Sequence, residues 1–497
     1  MTFTSQLAFP SSALGLVALA LLLIVGGCTR GVDIDGPYVV VPDDKTATVT
    51  ARLIFGHDAA IGPGGTAWLT ARAIEKSFSS SEASVLNGGN AVLKASATRE
   101  ALTLDFTSPK ASFPSAGRAL ANHLANLPID DSQLENLQHG QLVLLNSLRR
   151  DAAWLANSVF WQSVFQGGQC ALPAIGSDSS VAQIHVDDVR KFLGTFITKD
   201  NYELGLSGPI SDADASKFAS DLQELLPPKV QTSQRAAAAS ASGLGVQIVE
   251  VPGLTESTLL IGFGAPHTSR DSASMALAMA MILETSPSFS LSGMDQSLRV
   301  ERGLVDAIDA GTARIETASP HVQLRVNDPV RRDYTAIKMQ LAPVNALYAA
   351  KIVIKELVDL DAAGIGEADI TRIQQLLARA DSSTTDAVER MKSRLARRWM
   401  GLDTGMRGSK SGGTGLTSVR VRQLLRSALD PANLWIVAVV PEGERFRAEI
   451  LGGMTAYVYP DWVDRREIRR LDQEYLSYRP FWQADKVQVL RADSLFR

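Results

Sequence analysis

Cysteine is nearly absent from this chain of 497 residues: Cys28 and Cys170 are its only thiols, so no disulfide framework can staple the fold. Histidine is sparse as well. The six histidines are His57, His123, His139, His185, His267 and His321, and no two lie three to five residues apart, which excludes a zinc site built on one helical turn. Charge of one sign is also missing. With 49 Lys and Arg against 53 Asp and Glu, the net charge of -4 gives no electrostatic reason to expect a nucleic-acid partner. What the chain has is length and apolar content, 45% hydrophobic, enough to bury a large core in two domains or a pair of similar halves.

The longest apolar run, ALGLVALALLLIV at residues 13–25, is short for a membrane span and is followed by Gly26, Gly27 and Cys28. It resembles a bacterial lipoprotein signal, although residues 1–12 carry no Lys or Arg. In such a signal Val25-Gly26-Gly27-Cys28 is the cleavage box and Cys28 is the lipid attachment site. The expectation is a chain anchored by acyl groups and facing the periplasm; Thr29, where an Asp would retain it at the inner membrane, points to the outer membrane. Cys170 is then the one remaining thiol, expected to be buried and inert.

Beyond the leader, periodicity alternates between two and 3.6 residues. ATVTARLIF reads as a strand, GTAWLTARAIEKSF as a helix, and AVLKASATRE and ALTLDFTS as two adjacent strands. Helical patterns follow at 115–126, 131–165 with breaks, 186–196 and 212–226, with the strand NYELGLSG before the last. The Ala, Ser and Pro-rich PPKVQTSQRAAAASASG reads as a linker. After it the pattern begins again. VRKFLGTFITKDNYELGLSGP (189–209) and VRQLLRSALDPANLWIVAVVP (421–441) align without a gap at one offset of 232 residues, with Val, Arg, Leu, Asn and Pro recurring in register. ARLIFGHDAAIGPGGTAWLTARAIE pairs more loosely with LLIGFGAPHTSRDSASMALAMAMILE, each a strand, a Gly turn and a helix. Two matches in the same order indicate a duplicated α/β unit. The expected organisation is a leader (1–28), a linker (29–45), a first half (46–230), an Ala/Ser linker (231–243), a second half (244–452) and a C-terminal extension (453–497) that reads as a helix packed across the halves, its mixed charges a solvated face rather than a binding patch.

The duplicated halves, the opening strand-turn-helix, and the segments SGMDQSLRVERGLVDAIDAG and GLTESTLLIGFGAPHTSRDSASMALAMAMILE resemble the insulinase or pitrilysin type of zinc metallopeptidase, the M16 family, over residues 46–452. The resemblance implies an α/β (α+β) fold of two homologous halves, each a mixed sheet covered by helices, enclosing a chamber. Active members carry His-x-x-Glu-His on the first helix, two imidazoles for zinc and a Glu that takes a proton from the metal-bound water. Here the ligand positions fall on Trp68 and Arg72 and the base position on Ala71. Indole and methyl groups offer no lone pair, and a guanidinium repels a cation. A third ligand, a Glu roughly 75 residues further on in the family, would fall near Leu148 to Arg150, where Asp151 is the nearest carboxylate. The family's substrate-binding Arg and Tyr would fall on Arg299 and Asp306, and an ionised Asp donates no hydrogen bond to an oxyanion.

Other groupings carry less. Cys170, His185 and Asp187 can be drawn as a thiol nucleophile and its base only by proximity in sequence. GMRGSKSGGTG (405–415) resembles a phosphate loop, yet no Gly directly precedes Lys410 and no strand leads into it. The reading is therefore an envelope lipoprotein with a degenerate M16 fold, inactive on its own, with zinc not expected. The resemblance implies a non-catalytic subunit that pairs with an active M16 peptidase and helps bind or enclose a peptide or an unfolded protein segment. The alternative is a stand-alone binding or scaffolding lipoprotein that uses the degenerate substrate chamber without cleavage.

Overall fold

The computed structural model describes residues 37–57, 61–80, 91–165, 171–229, 245–264, 275, 279, 293–312, 315–318, 324–326, 332–363, 367–368, 371, 386–401, 418–428, 433–453, 455–463, 465–480 and 482–497. Cys28, Cys170, His267, His321 and the 405–415 loop lie outside them. Among the described residues no helix is long and apolar enough to cross a membrane.

The first half runs β1 (Val39–Pro42), β2 (Thr48–Gly56), α1 (Thr66–Ser80), β3 (Val92–Ala97), β4 (Ala101–Pro109), α2 (Phe113–Ala125), α3 (Asp131–Leu148), α4 (Ala152–Val164), α5 (Val186–Phe196), β5 (Tyr202–Gly208) and α6 (Asp212–Leu225). The second runs β6 (Gly245–Glu250), β7 (Ser257–Gly264), a π-helical turn (Gln296–Glu301), β8 (Ala307–Thr312), β9 (Ile315–Ala318), β10 (Leu324–Val326), β11 (Tyr334–Leu341), α7 (Ala346–Ala363), α8 (Ala387–Met400), α9 (Ser418–Ala428), β12 (Leu434–Val440), α10 (Gly443–Gly452), α11 (Arg465–Ser477) and β13 (Val487–Arg491). The gapless repeat is exact in the structure. At the same offset α5 falls on α9 and β5 falls on β12, residue for residue at both ends.

The sheets repeat as well. The first is ordered β1-β5-β2-β4-β3 and the second contains β6-β12-β7-β11-β8 in the equivalent order, extended by β9 and β10 on one side and by β13 on the other. Both are mixed: β1 and β5 are parallel, as are β6 and β12, and β2 and β7 run antiparallel to their neighbours. The mixed sheets covered by helices are those the sequence leads one to expect. The C-terminal extension adds strand β13, parallel to β6 with Val489 opposite Ile248.

Strand periodicity decides which face each residue meets. Along β2, Val49, Ala51, Leu53 and Phe55 enter a core with Ala71, Ile74 and Phe78 of α1, Leu120 of α2, Phe192 of α5 and Phe218 of α6. Ile54, pointing the other way, joins Met391, Leu395 and Trp399 of α8, a helix from the second half that packs on β1 and β5. The second sheet mirrors this. Leu434, Ile436 and Ala438 of β12 face Ile352 and Val353 of α7, whereas Trp435, Val437 and Val439 face Leu155, Val159 and Phe160 of α4, a helix from the first half. Gly262 of β7 permits that approach, since a Cβ there would lie 2.7 Å from Phe160 Cζ and 2.4 Å from the Thr335 carbonyl oxygen. Each sheet is thus roofed by its own helices on one face and by one helix of the other half on the second. Buried on both faces, β12 reads as the unbroken apolar run LWIVAVV.

Candidate functional site

Helix α1 follows β2 through a glycine-led turn. Gly65 has φ 94°, and a Cβ on it would meet Gln141 Nε2 at 2.6 Å and the Ile175 carbonyl oxygen at 2.8 Å. Gln141 of α3 is fully buried and donates to the Ile175 and Gly65 carbonyls at 2.7 and 3.3 Å, pinning the start of α1 against α3.

From that start the three sequence-identified positions diverge. Trp68 is half-buried and packs against an apolar cluster of Leu145, Leu155, Val159 and Phe160, which Leu148 also joins. Ala71 is fully buried in the first core with Leu104 and Phe106. Arg72 lies over the Trp68 ring, 5.4 Å from its centroid, pairs with Glu75 at 2.9 Å and donates from Nη2 to the Ala95 carbonyl at 2.5 Å. Arg149 and Arg150 face a cavity of about 1030 Å³ between the halves, and Arg149 donates to the Leu495 and Phe496 carbonyls at 2.8 and 2.6 Å. Asp151 caps α4, accepting from the Trp154 amide at 2.9 Å.

These residues do not fit a metal ion. The ligand positions are an indole in an apolar cluster and a guanidinium spent on a backbone carbonyl, and the third position, near Leu148 to Arg150, offers an apolar side chain and two guanidinium groups, with Asp151 engaged as a helix cap. Among the described residues no three His, Cys, Asp or Glu side chains lie close enough to hold one.

The described histidines are accounted for separately. His57 is buried, its Nε2 3.1 Å from the Thr98 carbonyl oxygen and its ring 5.4 Å from Phe192. His123 lies 3.0 Å from the Ser77 hydroxyl, and burial pushes its pKa down. His139 and His185 are exposed, and Asp187 is an exposed partner of Arg190 at 3.2 Å.

In the second half, Arg299 donates to both oxygens of Asp295 at 2.8 and 2.7 Å, and that pairing raises its already high pKa. Asp306 is exposed at the head of β8, its amide bonded to the Gln340 carbonyl at 2.7 Å. Three residues beyond Arg299, Arg302 is fully buried, where no sequence signal had placed it. It donates to Asp472 at 3.2 Å and to Ser297 Oγ at 2.6 Å. Asp472 also accepts from the Tyr348 and Tyr459 hydroxyls at 2.8 and 2.7 Å, and Tyr475 donates to Glu356. Burial opposes the charge on Arg302, and Asp472 together with Tyr348 and Tyr459 outweighs it; burial raises all three tyrosines and Glu356. Asp472 and Tyr475 lie on α11, so the charged tail read as a solvated face buries two polar side chains against α7.

Residues 183–377 match the family model described as the peptidase M16 inactive domain. A search of curated proteins finds no match. Among solved structures, the chain is similar to a peptidase M16 inactive domain from Pseudomonas fluorescens, at 17% identity and TM-score 0.65 over 82% of this chain and 96% of that one. It is also similar to a chain of complex III2 from Candida albicans, at 14% identity and TM-score 0.64 over 83% and 96%. A protease from Helicobacter pylori matches at 13% identity and TM-score 0.62 over 82% and 98%. Identities this low establish the fold and leave the activity to the site. The chain thus has the fold of these M16-type structures over about four-fifths of its length, matches the M16 inactive-domain model over residues 183–377, and carries no His-x-x-Glu-His.

Proposed function

We propose that this protein is the non-catalytic subunit of a peptidase assembly, held at the periplasmic face of the outer membrane through lipid on Cys28, where it helps an active M16 subunit bind or enclose a peptide. The observation that carries this reading is the fate of Trp68, Ala71 and Arg72. All three are absorbed into packing or backbone bonding, so the fold is kept while none of the three motif positions can bind zinc or take a proton from a metal-bound water. A chain of the same fold belongs to complex III2 from Candida albicans, which supports a role by assembly. The cavity between the halves is a place for such an assembly to hold a peptide segment.

The test is affinity purification from the native envelope, followed by peptide-cleavage assays on each component. The expected result is co-purification of an M16 subunit with an intact metal motif and faster cleavage by the pair than by that subunit alone. Stoichiometric zinc and chelator-sensitive cleavage by this chain alone would sink the proposal. A monomer that co-purifies with no peptidase would favour the scaffolding role. Incorporation of labelled palmitate, lost in Cys28→Ala, checks the anchor.

A further inference from the structure

Among the described residues, strand β3 is the outermost strand of the first sheet, bonded to β4 on one side only. In an antiparallel pair, alternate residues of such a strand turn both N–H and C=O away from the partner, toward any strand that might add to the edge. Ala95, within the six residues of β3, is one of these. Both of its outward groups are taken by side chains of α1. The Ala95 amide donates to Glu75 Oε2 at 3.1 Å, and the Ala95 carbonyl accepts from Arg72 Nη2 at 2.5 Å. Arg72 Nη1 lies 2.9 Å from the same Glu75 oxygen, closing the ring, and the Trp68 indole supports the guanidinium. Residues 72 and 75 are one helical turn apart, so both side chains leave α1 on the same side and reach the same strand residue.

We infer that Arg72 and Glu75 form an edge lock that keeps an extended peptide from adding as a strand to the first sheet. An incoming strand would have to make, at Ala95, the two bonds these side chains already make. It would also have to break an ion pair to do so. An exposed ion pair between neighbouring turns is weak by itself; here each partner also holds a backbone group of a different element, which ties the pair to the strand. The lock goes beyond the proposed subunit role and holds whether or not the chain has a partner. If it holds, peptide kept between the halves is gripped by something other than β3.

The test uses the full chain, Arg72→Lys, and the double variant Arg72→Met with Glu75→Ala. The probe is a fluorescent peptide of alternating Thr and Val, alongside a version N-methylated at every second amide, which cannot pair as a strand. Anisotropy titrations should show no binding by the full chain or by Arg72→Lys. The double variant should bind the plain peptide at least about tenfold tighter than the N-methylated one, because main-chain bonds carry strand addition. Hydrogen exchange at the Ala95 amide should be at least about tenfold faster in the double variant. The lock is overturned if the full chain binds the plain peptide as well as the double variant does, or if the variant fails to distinguish the two peptides. Should the double variant unfold, Glu75→Lys, which repels Arg72 and preserves the packing of α1, is titrated in the same way with the same two outcomes.

Discussion

Glu100, in the turn between β3 and β4, and Arg332, just before β11, bind one half to the other. Glu100 Oε1 accepts from Arg332 Nη1 at 2.7 Å and Oε2 accepts from the Arg332 amide at 2.9 Å, with the carboxylate side chain only 2% exposed. Glu100 thereby orients both the side chain and the backbone of its partner.

Removing one member of a buried pair leaves the other charged and unsolvated. Glu100→Ala should lower unfolding stability by about 3 kcal/mol, read as an earlier urea midpoint. Arg332→Met made in the Glu100→Ala background should cost much less than Arg332→Met alone. Equal costs in the two backgrounds would show that the pair is not coupled.

Burial raises the pKa of Glu356 in the folded chain above its ordinary value of 4.5. The folded state then binds the proton more tightly than the unfolded state, so this residue's contribution is complete at and below the ordinary carboxylate range and is lost as pH rises through the folded value. Glu356→Gln should therefore gain melting temperature relative to the parent chain as pH goes from 4 to 8, in parallel melting curves. A parent chain that gains on the variant over that range would contradict the burial effect.

Restoring the motif should not restore the metal. Trp68→His, Ala71→Glu and Arg72→His together still leave no carboxylate at residues 148–150, where the third ligand would fall, and the new carboxylate at 71 enters the core formed with Leu104 and Phe106. Ala71→Glu alone should cost at least about 3 kcal/mol, for want of a buried partner. The triple variant should carry well under one zinc per chain by metal analysis, and one tightly held zinc would refute the expectation.

Gly65→Ala places a Cβ against a backbone oxygen at a positive φ. The expected loss is about 2 kcal/mol, seen in the melting midpoint and accompanied by faster exchange of amides in the first turn of α1. An unchanged midpoint would mean that the turn relaxes freely.

How much of this was legible in the sequence depends on how local the cause is. The duplication was, because α5-β5 and α9-β12 keep their spacing to the residue and their apolar positions obey one helix and one strand period. The cap of α3 by Asp130 and Gln133 has an equally local cause, although the periodic pattern alone did not single it out. The placement of Trp68, Ala71 and Arg72 on one helix followed from spacing, but their separate destinations did not, since each is set by a different packed element. Glu100 and Arg332, and Arg302 and Asp472, are partners across long stretches of chain, and nothing near any of them marks it as buried. The tail misled for the same reason: Asp472 and Tyr475 lie among surface charges in sequence and enter the protein only because α7 supplies Tyr348 and Glu356.

Helices α4 and α8 are exchanged between the halves, each closing the bare face of the other's sheet. Neither half, cut out and expressed by itself, has the parts to keep water off both sides of its own strands. The duplication visible in the sequence is therefore a repeat of plan without independence of the pieces. A protease that severed the connection between the halves would leave two fragments still clasped, and they would come apart only by unfolding together.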